Sequence, residues 1–140
     1  MKFFIKLLSL SIIIFLLKSA DIDNKSNDKN SAALIGTIHE FQDILKKQDK
    51  VIINFFGSCI DCAPGREAFN NFVASLEIEG IKFYEFKVDD KPEVCHIFEI
   101  KSRPCVIAFI KGNPQKLKLI RENINNANLE KLISICSEKE

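Results

Sequence analysis

The run Val51-Ile52-Ile53-Asn54-Phe55-Phe56 leads directly into Gly57-Ser58-Cys59-Ile60-Asp61-Cys62. A short run that is β-branched and aromatic reads as a central strand buried on both faces, which requires helices above and below it. The segment that follows, from about Ile60 to Leu76, places Ala68, Phe69, Phe72, Val73 and Leu76 at helical spacing. The two cysteines therefore stand at a strand-to-helix junction. A helix N-terminus offers free N–H groups and a partial positive charge, which favour a thiolate over a thiol. The two-residue spacing also lets the second sulfur reach the first and close a small disulfide ring.

The other elements build around this junction. Thr37-Ile38-His39-Glu40 has the form of a capping box, and Ile38, Phe41, Ile44 and Leu45 then repeat as a helix that ends at Asp49-Lys50. Ile81 to Val88 is β-rich and partly alternating, a second strand. Asp89-Asp90-Lys91-Pro92 turns into a short helix through Val94, Ile97 and Phe98. Cys105 to Ile110 is an apolar strand, the turn Lys111-Gly112-Asn113-Pro114 follows, and Gln115 to Arg121 alternates as an edge strand. A last helix, about Asn126 to Ser137, turns Leu129, Leu132, Ile133 and Cys136 inward. A βαβ unit, a connecting helix, a hairpin and a closing helix make an α/β fold with a mixed sheet of four to five strands covered on both faces.

At 140 residues the chain holds one domain plus extensions. Met1 to Lys6 is basic and leads into the apolar run Leu7 to Leu17, so residues 1–20 are expected to be a secretory signal peptide. Lys18 is a poor residue before a cut at Ala20, which leaves an uncleaved anchor, and so a membrane attachment, as the alternative. Residues 21–33 are polar and low in apolar side chains, the pattern of a disordered linker, and residues 34–140 form the domain. Without Lys2, Lys6 and Lys18 the chain carries 17 basic and 19 acidic side chains, a net charge of −2. With no basic stripe and no aromatic platform, nucleic acid is not expected as a partner.

Cysteines at 59, 62, 95, 105 and 136 are an odd number on an oxidising route. One redox-active pair with three buried thiols fits that count better than a structural disulfide framework. Cys95-His96 has no second paired motif to complete a metal site, and His39 has no ligand partner one turn away, so it reads as a solvated helix residue.

These residues together resemble the thioredoxin-fold family. The strand, Cys59-x-x-Cys62 and helix form one part of the likeness. Arg103-Pro104, followed by an apolar strand and Lys111-Gly112, forms the other. Pro104 lies 42 residues after Cys62, about where the family places a cis-proline beside its disulfide, and Val88-Asp89 fits the pattern at the end of the middle strand. The likeness covers roughly residues 34 to 138. It implies that Cys59 is the exposed attacking thiolate, Cys62 the buried resolving thiol, and Pro104 a cis residue shaping a groove. The backbone of Arg103 would pair with an extended substrate. No organic cofactor and no metal is implied. The implied partners are disulfide-containing or unfolded proteins and an electron-donor reductase.

The chain also departs from the family. It has no Trp, and Ser58 stands where the family has one before the first cysteine; Ile60-Asp61 replaces the usual Gly-Pro or Gly-His pair, and the run to Cys59 is one residue short. The family's buried acid falls at Asn54, which cannot act as a base near neutral pH, and its lysine partner falls at Glu85. Glu85 is expected to face solvent, with replacement of the lost acid as the other reading. Asp61 should disfavour the Cys59 thiolate, while an Arg103 side chain along the groove would favour it. The balance predicts a modestly acidified Cys59 and a thioredoxin-like potential. Cys105 is expected to be a small buried residue rather than a third redox thiol or a metal ligand. The leading expectation is a thiol–disulfide oxidoreductase of the secretory route. The rivals are a thioredoxin-fold binding subunit of a secretory or membrane-associated complex and a cysteine-ligated metal protein.

Overall fold

The computed structural model describes residues 30–138. The expected signal segment, and the linker up to residue 29, lie outside the described residues. The first described strand, β1 (Ala33–Ile35), had no counterpart in the sequence reading. Asn30, just before it, donates from Nδ2 to the carbonyl of Leu76 at 2.7 Å, so this segment is tied to the domain.

Helix α1 (Ile38–Lys47) starts where the capping signal placed it: Thr37 accepts from the Glu40 N–H, and Glu40 reaches back to accept from the Gly36 N–H at 2.8 Å. Strand β2 (Lys50–Phe56) follows, then helix α2 (Cys62–Ser75), strand β3 (Lys82–Lys87) and the short helix α3 (Pro92–Ile97). Strands β4 (Cys105–Ile110) and β5 (Asn113–Ile120) form the hairpin, and one 3-10 turn (Arg121–Asn123) leads into helix α4 (Asn126–Glu138). The hairpin turns through Lys111 and Gly112, both at positive φ, the backbone a two-residue connection demands. A side chain at Gly112 would also crowd the Leu45 carbonyl, so glycine meets two requirements there.

The five strands lie in the order β1-β3-β2-β4-β5. β1, β3 and β2 run parallel, β4 pairs antiparallel with β2, and β5 pairs antiparallel with β4. The central position of β2 explains its composition, since Val51 to Phe56 are all buried. Val51, Ile53 and Phe55 face α1 and α3, where Phe41 stacks on Phe86 and meets Phe55 edge-on at 5.9 Å. Ile52 faces α2 and α4 and packs with Phe69, Phe72, Val73, Leu129 and Leu132. Asn54 shares that second face, buried in an apolar row.

Glu85 corrects the expectation that it faces solvent: it is 4% exposed. The reason is its register. Glu85 pairs with Asn54 across β2 and β3 and lies under α2, where water does not reach. Its carboxylate is paired instead with Arg66 of α2, at 2.9 Å to Nε and 3.2 Å to Nη2. A buried carboxylate needs that kind of partner to remain charged.

Candidate active site

The site forms where β2, β3 and the α3–β4 loop end on the same side. β2 delivers the chain to Gly57, whose N–H points to the Cys62 sulfur at 3.3 Å. Gly57 has no room for a side chain, because a Cβ there would run into the Asp89 carboxylate and crowd the Arg103 guanidinium. Ser58 donates twice to Asp89 Oδ2, from its N–H at 2.9 Å and its hydroxyl at 2.8 Å. Asp89 Oδ1 takes a further bond from Arg103 Nη1 at 2.8 Å. The Ser58 hydroxyl, then its N–H and the Arg103 charge, hold the Asp89 carboxyl below its usual range. Asp89 thus ties the loop before Cys59 to the loop before β4, without any tryptophan.

Cys59 and Cys62 are joined by a disulfide with Cα atoms 5.1 Å apart. Cys59 is exposed, whereas Cys62, in the first turn of α2, is buried. The Arg103–Pro104 peptide bond is cis. The Arg103 carbonyl oxygen lies 3.4 Å from the Cys59 sulfur. Gly65, one turn into α2, lies against the Pro104 ring, so α2 and the proline loop meet without an intervening side chain. The Pro104 carbonyl accepts from the Arg121 N–H at 3.2 Å, which holds the far side of the loop.

No family model matches the chain, and no curated protein matches it in sequence. Solved structures do match in three dimensions. A thioredoxin from Malassezia sympodialis superposes with a TM-score of 0.66 at 18% identity, over 77% of this chain and 92% of that one. Thioredoxin from Trypanosoma brucei brucei gives 0.66 at 15% identity, over 81% and 97%. Oxidised mitochondrial thioredoxin 3 from Saccharomyces cerevisiae gives 0.61 at 22% identity, over 74% and 94%. The chain has the thioredoxin fold. At these identities the likeness is one of fold, and the chemistry rests on this chain's own residues.

Within that fold, the other residues singled out from sequence fall as follows. Arg103 does not extend free along the groove; its charge is shared with Asp89. Asp61 takes the N-cap position of α2 but makes no capping bond, and its carboxylate lies 4.0 Å from Arg121 Nε. Cys105 is buried at the start of β4, and burial pushes its thiol up to about 11, which keeps it neutral. Cys136, on α4, is buried in the core on that face of the sheet, and burial raises its pKa too. Cys95 is partly buried and, like Cys105, unpaired with another cysteine. His39 is exposed beside Asp43, one turn on. Among the described residues, no three or more histidine, cysteine or acidic side chains come together as a metal group.

From sequence, neither Arg66 nor Arg121 is singled out for the site, and Asp89 is marked only as the end of the middle strand. Arg66 carried a usable signal: it lies four residues after Cys62, on the same helical face, and so had to point toward the sheet. Arg121 carried none, because its place depends on a backbone turn that no residue pattern announces.

Proposed function

We propose that the protein is a thiol–disulfide oxidoreductase acting on disulfides of protein substrates. The observation that carries the reading is the Cys59–Cys62 disulfide at the start of α2, one sulfur exposed and the other buried, facing the cis Arg103–Pro104 loop. Exchange proceeds by attack of a thiolate on a disulfide sulfur. In the reduced protein, the Cys59 thiolate attacks one substrate sulfur, the substrate S–S bond breaks, and the other substrate sulfur leaves as a thiolate. Cys62 then attacks the Cys59 sulfur of the mixed disulfide and releases the second substrate thiolate. Two electrons pass from the cysteine pair to the substrate, whose two sulfurs take up the protons. The Gly57 N–H is placed to stabilise negative charge on Cys62 as it attacks.

An extended substrate would lie along the loop before β4, with the backbone of Arg103 as its pairing partner and an electron-donor reductase restoring the dithiol. The basic start and apolar run of residues 1–20 support a place on the secretory route. The test is insulin-disulfide reduction with dithiothreitol as donor. Wild type should be active, Cys59→Ser inactive, and Cys62→Ser should accumulate a mixed disulfide on Cys59. No activity in wild type would reject this reading in favour of a thioredoxin-fold binding subunit. Loss of the N-terminal segment on secretion from an expressing cell, read by N-terminal sequencing, tests the signal.

A further inference from the structure

Among the described residues, three that are not glycine have positive φ, and two of them have an ordinary local cause. Lys111 lies in the two-residue hairpin turn. Glu99 follows the end of α3, where the left-handed conformation closes a helix and lets the Ile100 N–H bond the Cys95 carbonyl at 2.8 Å. Arg121, at φ 49°, is neither in a hairpin turn nor past a helix end. It sits where β5 breaks off, and its N–H is held by the carbonyl of cis Pro104. Glycine would make the same turn without the Cβ strain. The backbone therefore accounts for the turn and leaves the arginine side chain unexplained.

That side chain points back to the redox loop. Arg121 Nε lies 4.0 Å from the carboxylate of Asp61, which is located between the two cysteines. Arg121, Asp61, Pro64 and Ile124 border one hollow of about 310 Å³ beside the start of α2. Charged groups around this end include Asp61 on the loop, Lys87 and Asp89 at the end of β3, Arg66 on α2 (bound to Glu85), Arg103 before β4, and Arg121 and Glu122 in the 3-10 turn. Arg103 is already bound to Asp89. Among the described residues, Arg121 is the cation that pairs with Asp61.

We propose that Arg121 is a positioning residue for the redox pair: its strained backbone holds a positive charge against Asp61 so that this carboxylate does not suppress the Cys59 thiolate. The inference rests on the exchange chemistry proposed above, but its test does not need turnover. Neutral Arg121→Gly and Arg121→Asn relieve the backbone and remove the charge, and Arg121→Lys keeps the charge. The readouts are the pH dependence of Cys59 alkylation in the reduced protein, the Cys59–Cys62 equilibrium with glutathione, and the urea midpoint.

Both neutral variants should lower the thiolate fraction at pH 7 by about threefold, the effect of losing one nearby exposed charge. The glutathione equilibrium should move toward the disulfide, since the reduced form has lost support. The urea midpoint should hold or rise, which separates the effect from damage to the fold. Lysine should restore most of the thiolate, and about 1 M salt should shrink the difference between wild type and Arg121→Gly. An unmoved alkylation profile in both neutral variants overturns the proposal, as does a shift that lysine fails to restore. An insulin assay that fails for wild type while the alkylation shift is present would overturn the exchange function and leave the role of Arg121 standing.

Discussion

Replacing Glu85 by Gln removes one charge and changes almost no volume, and it should cost the domain far more than a surface substitution. The carboxylate is surrounded by donors: Arg66 Nε at 2.9 Å and Nη2 at 3.2 Å, Asn70 Nδ2 at 3.1 Å, and Asn54 Nδ2 at 3.4 Å. A glutamine amide keeps one acceptor and turns an NH₂ group toward these donors. One partial remedy exists. Asn54 Oδ1 is buried without a partner, so turning the Asn54 amide over would let it accept one glutamine N–H. Breaking a buried ion pair by removing one partner costs about 3–5 kcal/mol. The Arg66 side chain is 41% exposed and regains water, which discounts that figure. Glu85→Gln should therefore cost about 2–3 kcal/mol.

Arg66→Ala should cost more, about 3–5 kcal/mol, because it leaves the charge on the buried side with amide donors only. It also removes the guanidinium that lies 4.0 Å above the Phe56 ring. Replacing both partners together, Arg66→Met with Glu85→Leu, should recover only part of the loss: the apolar pair carries no desolvation penalty, but the buried Asn54 amide loses its bond to Glu85. With no tryptophan in the chain, urea unfolding of the oxidised protein is best followed by far-UV circular dichroism at pH 7. A Glu85→Gln cost below about 1 kcal/mol would refute the reasoning, because it would place the pair with surface salt bridges. A double variant no more stable than Arg66→Ala would refute it as well.

Gly57→Ala should push on the Asp89 carboxylate and loosen its bonds to Ser58 and Arg103, at about 1–3 kcal/mol for an overpacked contact. The Asp89 carboxyl should then titrate closer to the ordinary range, followed by NMR, and an unchanged titration would count against the clamp. In the reduced native protein an alkylating reagent should modify Cys59 and spare Cys105 and Cys136 until the domain unfolds. The Cys105 thiol titrates at about 11 when folded, above its ordinary value of 9.0, so the fold binds its proton more tightly. That preference is intact below about pH 9 and is lost as the pH rises toward 11, on the order of 2–3 kcal/mol, and Cys105→Ala should flatten the alkaline loss. Asn54→Asp would set a second carboxylate beside Glu85 and raise the folded-state pKa of the pair. Stability should then fall as the pH climbs from about 4, and a urea midpoint at pH 8 no lower than at pH 5 would contradict this.

The architecture was legible because its signals are local. The Val51–Phe56 run and the capping box at Thr37 depend on neighbours in the chain and stand where the pattern put them, whereas the turn expected over Lys111 to Pro114 is tighter, since β5 already begins at Asn113. Strand β1 was not legible: three residues, two of them exposed, leave no period to read, and their pairing with Tyr84 to Phe86 is a tertiary fact. Glu85 was misjudged because the alternation of β3 gives a face without saying what covers it. Phe83 shares that face, and its burial was the available hint. The cation that makes a buried acid tolerable comes from α2, 19 residues earlier. Site chemistry divides in the same way. The cysteine pair and the proline are readable as types, whereas the bonds of Asp89 to Ser58 and Arg103 exist only once three chain segments meet.

The two polar clusters near the disulfide differ in exposure, and that difference orders their sensitivity to salt. The side chains of Arg103 and Asp89 are 38% and 33% exposed, while in the inner pair Arg66 is 41% exposed but Glu85 only 6%. At about 1 M salt the screening length is near 3 Å, so the outer pair, open at both ends, weakens more than the inner pair, whose carboxylate is buried. The outer pair fixes the position of the loop that carries the Arg103 carbonyl beside Cys59, and the inner pair fastens α2 to the sheet. Salt should therefore act first on the groove and only later on the fold. Resistance to unfolding and the position of the groove are then separable properties of one domain, because different contacts set each.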